Sequence, residues 1–421
     1  MSKDDAGAGK GEMVGNSFTL SIGPVHPALK EPLRLICEIE GERVVRVDFE
    51  LSQVHRGVEW MGTRRNPIQI LYLSERICGI CNICHALAFC RAVESIGDID
   101  VPPRAQYIRT IIAELERIHS HILWAGIMAH EMGFDSVMHY TWRARERVLD
   151  TIEYLTGNRI TKAMITIGGV RRDIREDQYP VLRETLNFYS DIQAKLEKIL
   201  LKDPVIRSRT RDTGILSRKD ALSLCVVGHV ARASGIRKDV RHDEPYAAYP
   251  DIGVTPVTPD QMTGEIRGDV YDRIVVRLLE LRQSVDIIDK CIRGMPDGRI
   301  VHEEKAPKLL AELRGLEGDG IGRHEAPRGE VFHYVKMSKG ESPFAWKVRA
   351  PTYNNVLSLV PMLTGRQIAD IPVIAASIDP CMSCLNRAVV TDSGKRALVD
   401  QEAMHRLSVK RTQELKRRLC K

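Results

Sequence analysis

Two short cysteine pairs carry the most specific chemistry in this sequence. The segment ERICGICNICH (75–85) holds Cys78 and Cys81 in a C-x-x-C, with Gly79 between them to relax the turn that aims both sulfurs the same way. The segment DPCMSC (379–384) repeats the spacing at Cys381 and Cys384. Together they offer four thiolates, the soft ligand set that suits zinc, iron–sulfur clusters or nickel. A zinc ribbon separates its two knuckles by roughly 15–20 residues, whereas here most of the chain intervenes. A structural zinc would then join remote parts of a large core. Cys78, Cys81 and Cys84 also mimic the opening of a ferredoxin run, but the position of its fourth ligand is Ala88, so that local cluster is incomplete. Cys37, Cys90, Cys225, Cys291 and Cys420 are isolated and read as small buried hydrophobes.

The elements that position these pairs come from a chain of 421 residues, 43% hydrophobic and 28% charged, enough for one large domain or two to three ordinary ones. The net charge of +6 is concentrated at the end: His405–Lys421 holds seven Lys/Arg against one Glu. A nucleic-acid binder would spread basic residues over a face of the fold, so that class is set aside. No stretch reaches the roughly 20 apolar residues that span a bilayer. The opening MSKDDAGAGKGEM has no apolar run and does not read as a signal peptide. Without an export signal, a reducing compartment is expected, where cysteines serve as ligands, catalysts or core residues.

Residues 1–14 read as a flexible N-terminus. Three strand-like runs follow at 18–23, 33–40 and 43–51, the last two joined by the turn Glu40-Gly41-Glu42. The loop GPVHPALKEP separates the first two. From about residue 67 the pattern is helical. Isoleucines and leucines from Ile108 to Leu123 recur at three and four residues, predicting one long amphipathic helix over 103–131 that opens at Pro102-Pro103. Further helices are expected over 136–156, 181–201, 217–228, 269–291 and 352–365. A Gly-rich stretch at 315–322 precedes a strand-like pair near 330–348. The apolar run IPVIAASI (371–378) reads as a buried strand, and a strand, turn and basic helix end the chain. The expected fold class is α+β and predominantly helical. It comprises a small antiparallel β unit at 15–62, a helical metal-binding core at 63–387 and a strand-turn-helix tail at 388–421.

Arg76-x-Cys78-Gly79-x-Cys81-x-x-x-His85 with Asp379-Pro380-Cys381-x-x-Cys384 resembles the paired signatures of nickel–iron (NiFe) hydrogenase large subunits. HRGVE (55–59), VPPRAQYIRTIIAELERIHSH (101–121), GGVRRDI (168–174), RGDVYDR (267–273) and EAPRGE (325–330) agree, and the likeness covers roughly 17–415. These segments look like the membrane-bound, energy-converting group, which is related to the quinone-module subunit of respiratory complex I. The quinone-reducing relatives share the long helix, GGVR and the GPxHP loop but lack the four nickel-binding cysteines. This sequence keeps all four. The resemblance therefore implies a hydrogenase large-subunit-like helical core.

By that resemblance, Cys78 and Cys381 are terminal nickel ligands, and Cys81 and Cys384 bridge nickel to iron in a NiFe(CO)(CN)2 centre. Cys381 would accept the first proton when H2 is split. Glu59 matches the family's proton-shuttling glutamate, with a simple ion pair to a neighbouring arginine as the alternative, and Glu31 is a second candidate relay. Arg328 would hang its guanidinium over the open metal position, partnered by Asp379. His85 would donate to a bridging thiolate. His26, in the Pro-rich loop, is expected near this site, and His119 and His121 read as structural. Many relatives carry His three residues after the last cysteine and are cleaved there; Arg387 stands at that position, so no magnesium is expected near it and the tail reads as retained. The implied partners are an iron–sulfur small subunit with a 4Fe–4S cluster, membrane subunits related to complex I and ion antiporters, and a ferredoxin- or formate-linked electron donor. The chain would be a peripheral subunit on the cytoplasmic face of the membrane. Two other readings compete: a complex I-like redox subunit reducing polysulfide or quinone, and a scaffold held by structural zinc.

Overall fold

The computed structural model describes residues 17–419 apart from 28, 30, 52, 386–389, 393–394 and 398–400. The expected N-terminal segment 1–14 and Arg387 lie outside the described residues. Strands β1 (Ser17–Ile22), β2 (Arg34–Glu40) and β3 (Arg43–Glu50) form an antiparallel sheet in that order. Its register runs from Ser17 opposite Glu40 to Ile22 opposite Leu35, and Arg34 faces Glu50. Alternation places Leu35, Cys37 and Ile39 in the core.

Helices α1 (Val58–Gly62), α2 (Pro67–Glu75) and α3 (Asn82–Gly97) lead into the long helix α4 (Pro103–Glu131), with α5 (Asp135–Thr156) returning along it. Asn66 and Gln69 cap α2 reciprocally, at 2.9 and 3.2 Å. Pro103 supplies the first turn of α4 where no N–H is needed. Further along lie α6 (Tyr179–Lys202), the short α7 (Gly228–Ala233) and α8 (Val270–Arg293), which crosses α4. The expected helix over 217–228 is shorter, ending at Ser223 before Cys225 takes a left-handed turn at φ 52°.

The long helix is buried all round rather than amphipathic. Glu114, Glu116, Arg117 and His119 are as enclosed as its isoleucines. Its polar positions are stabilised by ion pairs instead of water: Glu114 with Arg117 and Arg241 (both 3.1 Å), and Glu116 with Lys162 (2.8 Å).

A second antiparallel sheet, β4 (Glu317–Ala326), β5 (Gly329–Ser338) and β6 (Ala345–Arg349), covers α3. The Gly-rich stretch is thus not a lead-in to strands but the strand β4 itself. Gly320 and Gly322 face α3 so closely that an added Cβ would lie 2.0 Å from the Ala92 carbonyl and 1.9 Å from that of Ala88. Only glycine permits that approach. IPVIAASI corrects the other way: Ile371–Ser377 is a helix, α9, packed on α4 and α8, with Pro372 in its first turn. A short unbroken apolar run has no period to distinguish a strand from a buried helix. Helix α10 (Gln401–Leu419) ends the described chain. No helix among the described residues is long and apolar enough to cross a membrane.

Candidate metal centre

Cys78 lies in the loop between α2 and α3, and Cys81 caps the start of α3. Cys381 and Cys384 follow α9, where Asp379 turns the chain in the left-handed region (φ 51°) before Pro380. This brings the two pairs face to face. Cys78 Sγ is 3.4 Å from Cys381 Sγ, Cys81 Sγ is 3.9 Å from Cys384 Sγ, and Cys381 and Cys384 are 3.2 Å apart. Thiolates about 2.3 Å from one ion are separated by roughly these distances. Cys78, Cys381 and Cys384 lie within one metal's reach, and Cys81, His85 and Cys384 form a second such group that shares Cys384. All four sulfurs are buried.

Electrostatics supports a cation here. Hydrogen bonds from Cys384 and Cys78 draw the Cys81 thiol down to about 6. Cys381 moves the other way, to about 11: its bond with Cys384 pulls it down, but its bond with Cys78 and burial outweigh that pull. Four sulfurs this close cannot all ionise in a dry core unless positive charge joins them.

The protein supplies some of that charge. Arg328 occupies the two-residue turn between β4 and β5, where Ala326 pairs with Gly329. Its Nε donates to the Asp379 carbonyl (2.9 Å) and its Nη2 to Asp379 Oδ1 (2.8 Å). Arg277 Nη2 holds the other carboxylate oxygen at 2.9 Å. Burial alone would lower the Arg328 pKa, yet Asp379 and the cysteines keep it firmly cationic. The hairpin tip reaches this depth because Gly329 and Gly228 meet directly: a Cβ on Gly228 would fall 2.4 Å from the Gly329 Cα.

Glu31 sits beside Cys381, its Oε2 accepting the Met382 N–H at 2.6 Å. Burial, reinforced by Cys381, pushes its carboxyl up to about 7 against the pull of Arg328. Glu59 is placed differently. Its Oε1 accepts the Val348 N–H (2.9 Å) and its Oε2 faces Lys347 Nζ (3.3 Å), so it ties α1 to β6 and pairs with a lysine there. His85 Nε2 points at Cys384 Sγ at 3.6 Å, and burial lowers its pKa to about 4. His121 binds Glu280 (2.7 Å), His119 lies against Arg145 (3.3 Å), and His26 is on an exposed loop. Cys84 is turned away: its thiol donates to Glu116 at 2.9 Å, which removes it from any ferredoxin-type set.

The site holds one feature that the sequence conceals. Arg56 donates to the carbonyls of Arg76 (3.0 Å), Ile77 (2.7 Å) and Ser383 (2.7 Å), clasping the backbones of both cysteine segments. It stands in HRGVE, but nothing in the spacing says which arginine does this. Beside the cysteines a cavity of about 110 Å³ is lined by Glu31, Ile80, Trp124, Arg328, Asp379 and Pro380 among others.

Residues 131–387 match the family described as the respiratory-chain NADH dehydrogenase 49 kDa subunit, and residues 56–129 match nickel-dependent hydrogenase. The chain is 46% identical to the membrane-bound hydrogenase subunit alpha of Pyrococcus furiosus, covering 94% of this chain and 93% of that one. It is 39% identical to a carbon monoxide-induced hydrogenase of Rhodospirillum rubrum, over 88% of this chain and all (100%) of the relative. Among solved structures, a chain from the membrane-bound sulfane sulfur reductase, an archaeal respiratory membrane complex, superposes with a TM-score of 0.81 at 29% identity, covering 88% and 99% of the two chains. Four converging thiols, the helical core and these likenesses agree: the chain belongs to the family of nickel–iron hydrogenase large subunits of the membrane-bound group, related to the 49 kDa subunit of respiratory complex I.

Proposed function

We propose that this chain is the catalytic large subunit of a membrane-bound, energy-converting hydrogenase, interconverting protons and H2. The observation that carries the reading is the meeting of Cys78, Cys81, Cys381 and Cys384 in one buried cluster. These four would hold nickel and iron. When bound, such a centre supplies the redox chemistry that interconverts H2 with two protons and two electrons.

The residues around it have separable tasks. Arg328 presents a fixed positive charge to the sulfurs, its orientation set by Asp379. Glu31, next to Cys381, takes and returns the proton; a carboxyl near neutrality suits transfer in both directions. The relay therefore runs through Glu31 rather than Glu59, whose oxygens face β6. His85 steadies the charge on Cys384. Electrons arrive from a 4Fe–4S cluster in an iron–sulfur subunit docked close to Cys81 and His85, beside the exposed Gly79 turn, and membrane subunits couple the reaction to ion translocation. The chain sits peripherally on the cytoplasmic face, with ferredoxin or formate oxidation as the electron source.

The likeness to a sulfane sulfur reductase favours a second reading, reduction of polysulfide or quinone at the same pocket. The cavity argues against a quinone: about 110 Å³ is below the roughly 300 Å³ at which sites for larger organic ligands begin. Nickel, iron and zinc stoichiometry with infrared spectra of the intact complex decides. Nickel with CO and CN bands and H2-dependent dye reduction is the expected result. Zinc alone, or polysulfide reduction without H2 activity, would overturn it.

A further inference from the structure

Trp346 is wedged between α1 and α3. Its indole is fully buried, a Cβ on Gly62 would lie 2.1 Å from the ring, and Phe89 meets it edge-on at 5.8 Å. Glu59 pins the same strand through Val348. The ring is held in one orientation, with Nε1 3.2 Å from His333 Nδ1. An indole N–H only donates, so His333 Nδ1 must accept. A neutral imidazole has one N–H, which places the His333 proton on Nε2, 3.1 Å from His85 Nδ1. His85 Nδ1 accepts in turn, leaving the His85 proton on Nε2, the atom aimed at Cys384 Sγ.

We propose that Trp346 and His333 are positioning residues that lock His85 in the tautomer donating to the Cys384 sulfur. The two rings and the indole form a directed chain: every N–H points toward the cysteines and none can reverse without setting two donors against each other. The chain is therefore an orienting device and not a proton exit. A sulfur that always receives this N–H keeps one charge distribution, and hydrogen bonds to metal-bound sulfur tune the potential of the metal. The consequence for the metal rests on the function proposed above; the tautomers do not.

Neutron diffraction from deuterium-exchanged crystals of the intact complex tests the tautomers directly. Deuterium on Nε2 of both His333 and His85, with bare Nδ1 atoms, is expected; deuterium on either Nδ1 overturns the proposal. Infrared spectra test the consequence. Trp346→Phe should retain nickel and iron but split or shift the CO and CN bands, because His333 is then free to adopt either tautomer. Phe89→Leu, which loosens the same cluster without removing a donor, should keep the wild-type bands. Unmoved bands in Trp346→Phe, or equal changes in both variants, would sink the proposed tuning. A wild-type complex with no such bands would instead defeat the hydrogenase reading, while the neutron result still stands or falls alone.

Discussion

Glu31 and Glu59 show how much a side chain's partners decide. Both are candidates for proton transfer in the sequence, and HRGVE makes Glu59 the more conspicuous. The structure sets Glu31 against the backbone of Met382, beside Cys381, and sets Glu59 against β6. Glu31→Gln should therefore keep nickel and iron while cutting H2 evolution by about 10²-fold or more. Glu59→Gln should leave turnover per nickel close to wild type and lower stability by about 1 kcal/mol, since an amide still accepts from Val348 but no longer pairs with Lys347. Equal losses of activity in both variants would refute the assignment. Arg328→Lys should retain the metals and slow turnover by about 10²-fold, because an ammonium cannot reproduce the two-pronged contact with Asp379. The four cysteines were legible because a C-x-x-C is a local pattern. Arg56, His333 and Trp346 were not, because their partners lie far along the chain and no spacing records the meeting.

Elements were readable wherever a period was present. The hairpin of β2 and β3 alternates, and α4 repeats its isoleucines at helical spacing, so both stand almost where expected. The failures share a cause. β4 has glycine where a strand would show its inward apolar residues, since the inward face is filled by the backbone of α3 instead. IPVIAASI is apolar at nearly every position, and a helix buried on all sides leaves no polar stripe to read. Gly322→Ala tests this account: a methyl group 1.9 Å from the Ala88 carbonyl forces β4 off α3. The expected cost is roughly 3 kcal/mol, seen as a lower melting temperature with loss of nickel, because α3 carries Cys81 at its start.

Across the whole molecule, buried ion pairs join α4 to its neighbours alongside its core isoleucines and leucines. Glu280 on α8 accepts from Arg232 at 2.5 Å and meets His121 at 2.7 Å, all enclosed. Glu280→Gln removes one of three carboxylates around Arg232, which keeps Glu325 (2.8 Å) and Asp239 (3.5 Å) in a dry interior, so a loss of about 1–3 kcal/mol is expected in thermal unfolding. Burial would raise the carboxyls of Glu114 and Glu280, but the surrounding arginines outweigh it and hold both well below the ordinary 4.5. A depressed carboxylate contributes fully above its unfolded pKa and loses that contribution as pH falls below it. The melting temperature should therefore fall steeply on acidification below about pH 4.5, and less steeply in Glu280→Gln. Sequence foretold an amphipathic long helix but not that its charges are interior, for a buried ion pair is spelled with the same letters as a wetted one.

The seam where Gly228 meets Gly329 has a consequence for how the site can vary. Arg328 is delivered to the sulfurs by the missing side chains of two residues remote in the chain, so its reach is metered by empty space. Neither glycine can acquire even a methyl group without backing the guanidinium out of its place. A lineage that exchanged the reaction at this pocket for another would have a ready adjustment here: one added carbon at the seam would retune the site without touching a ligand.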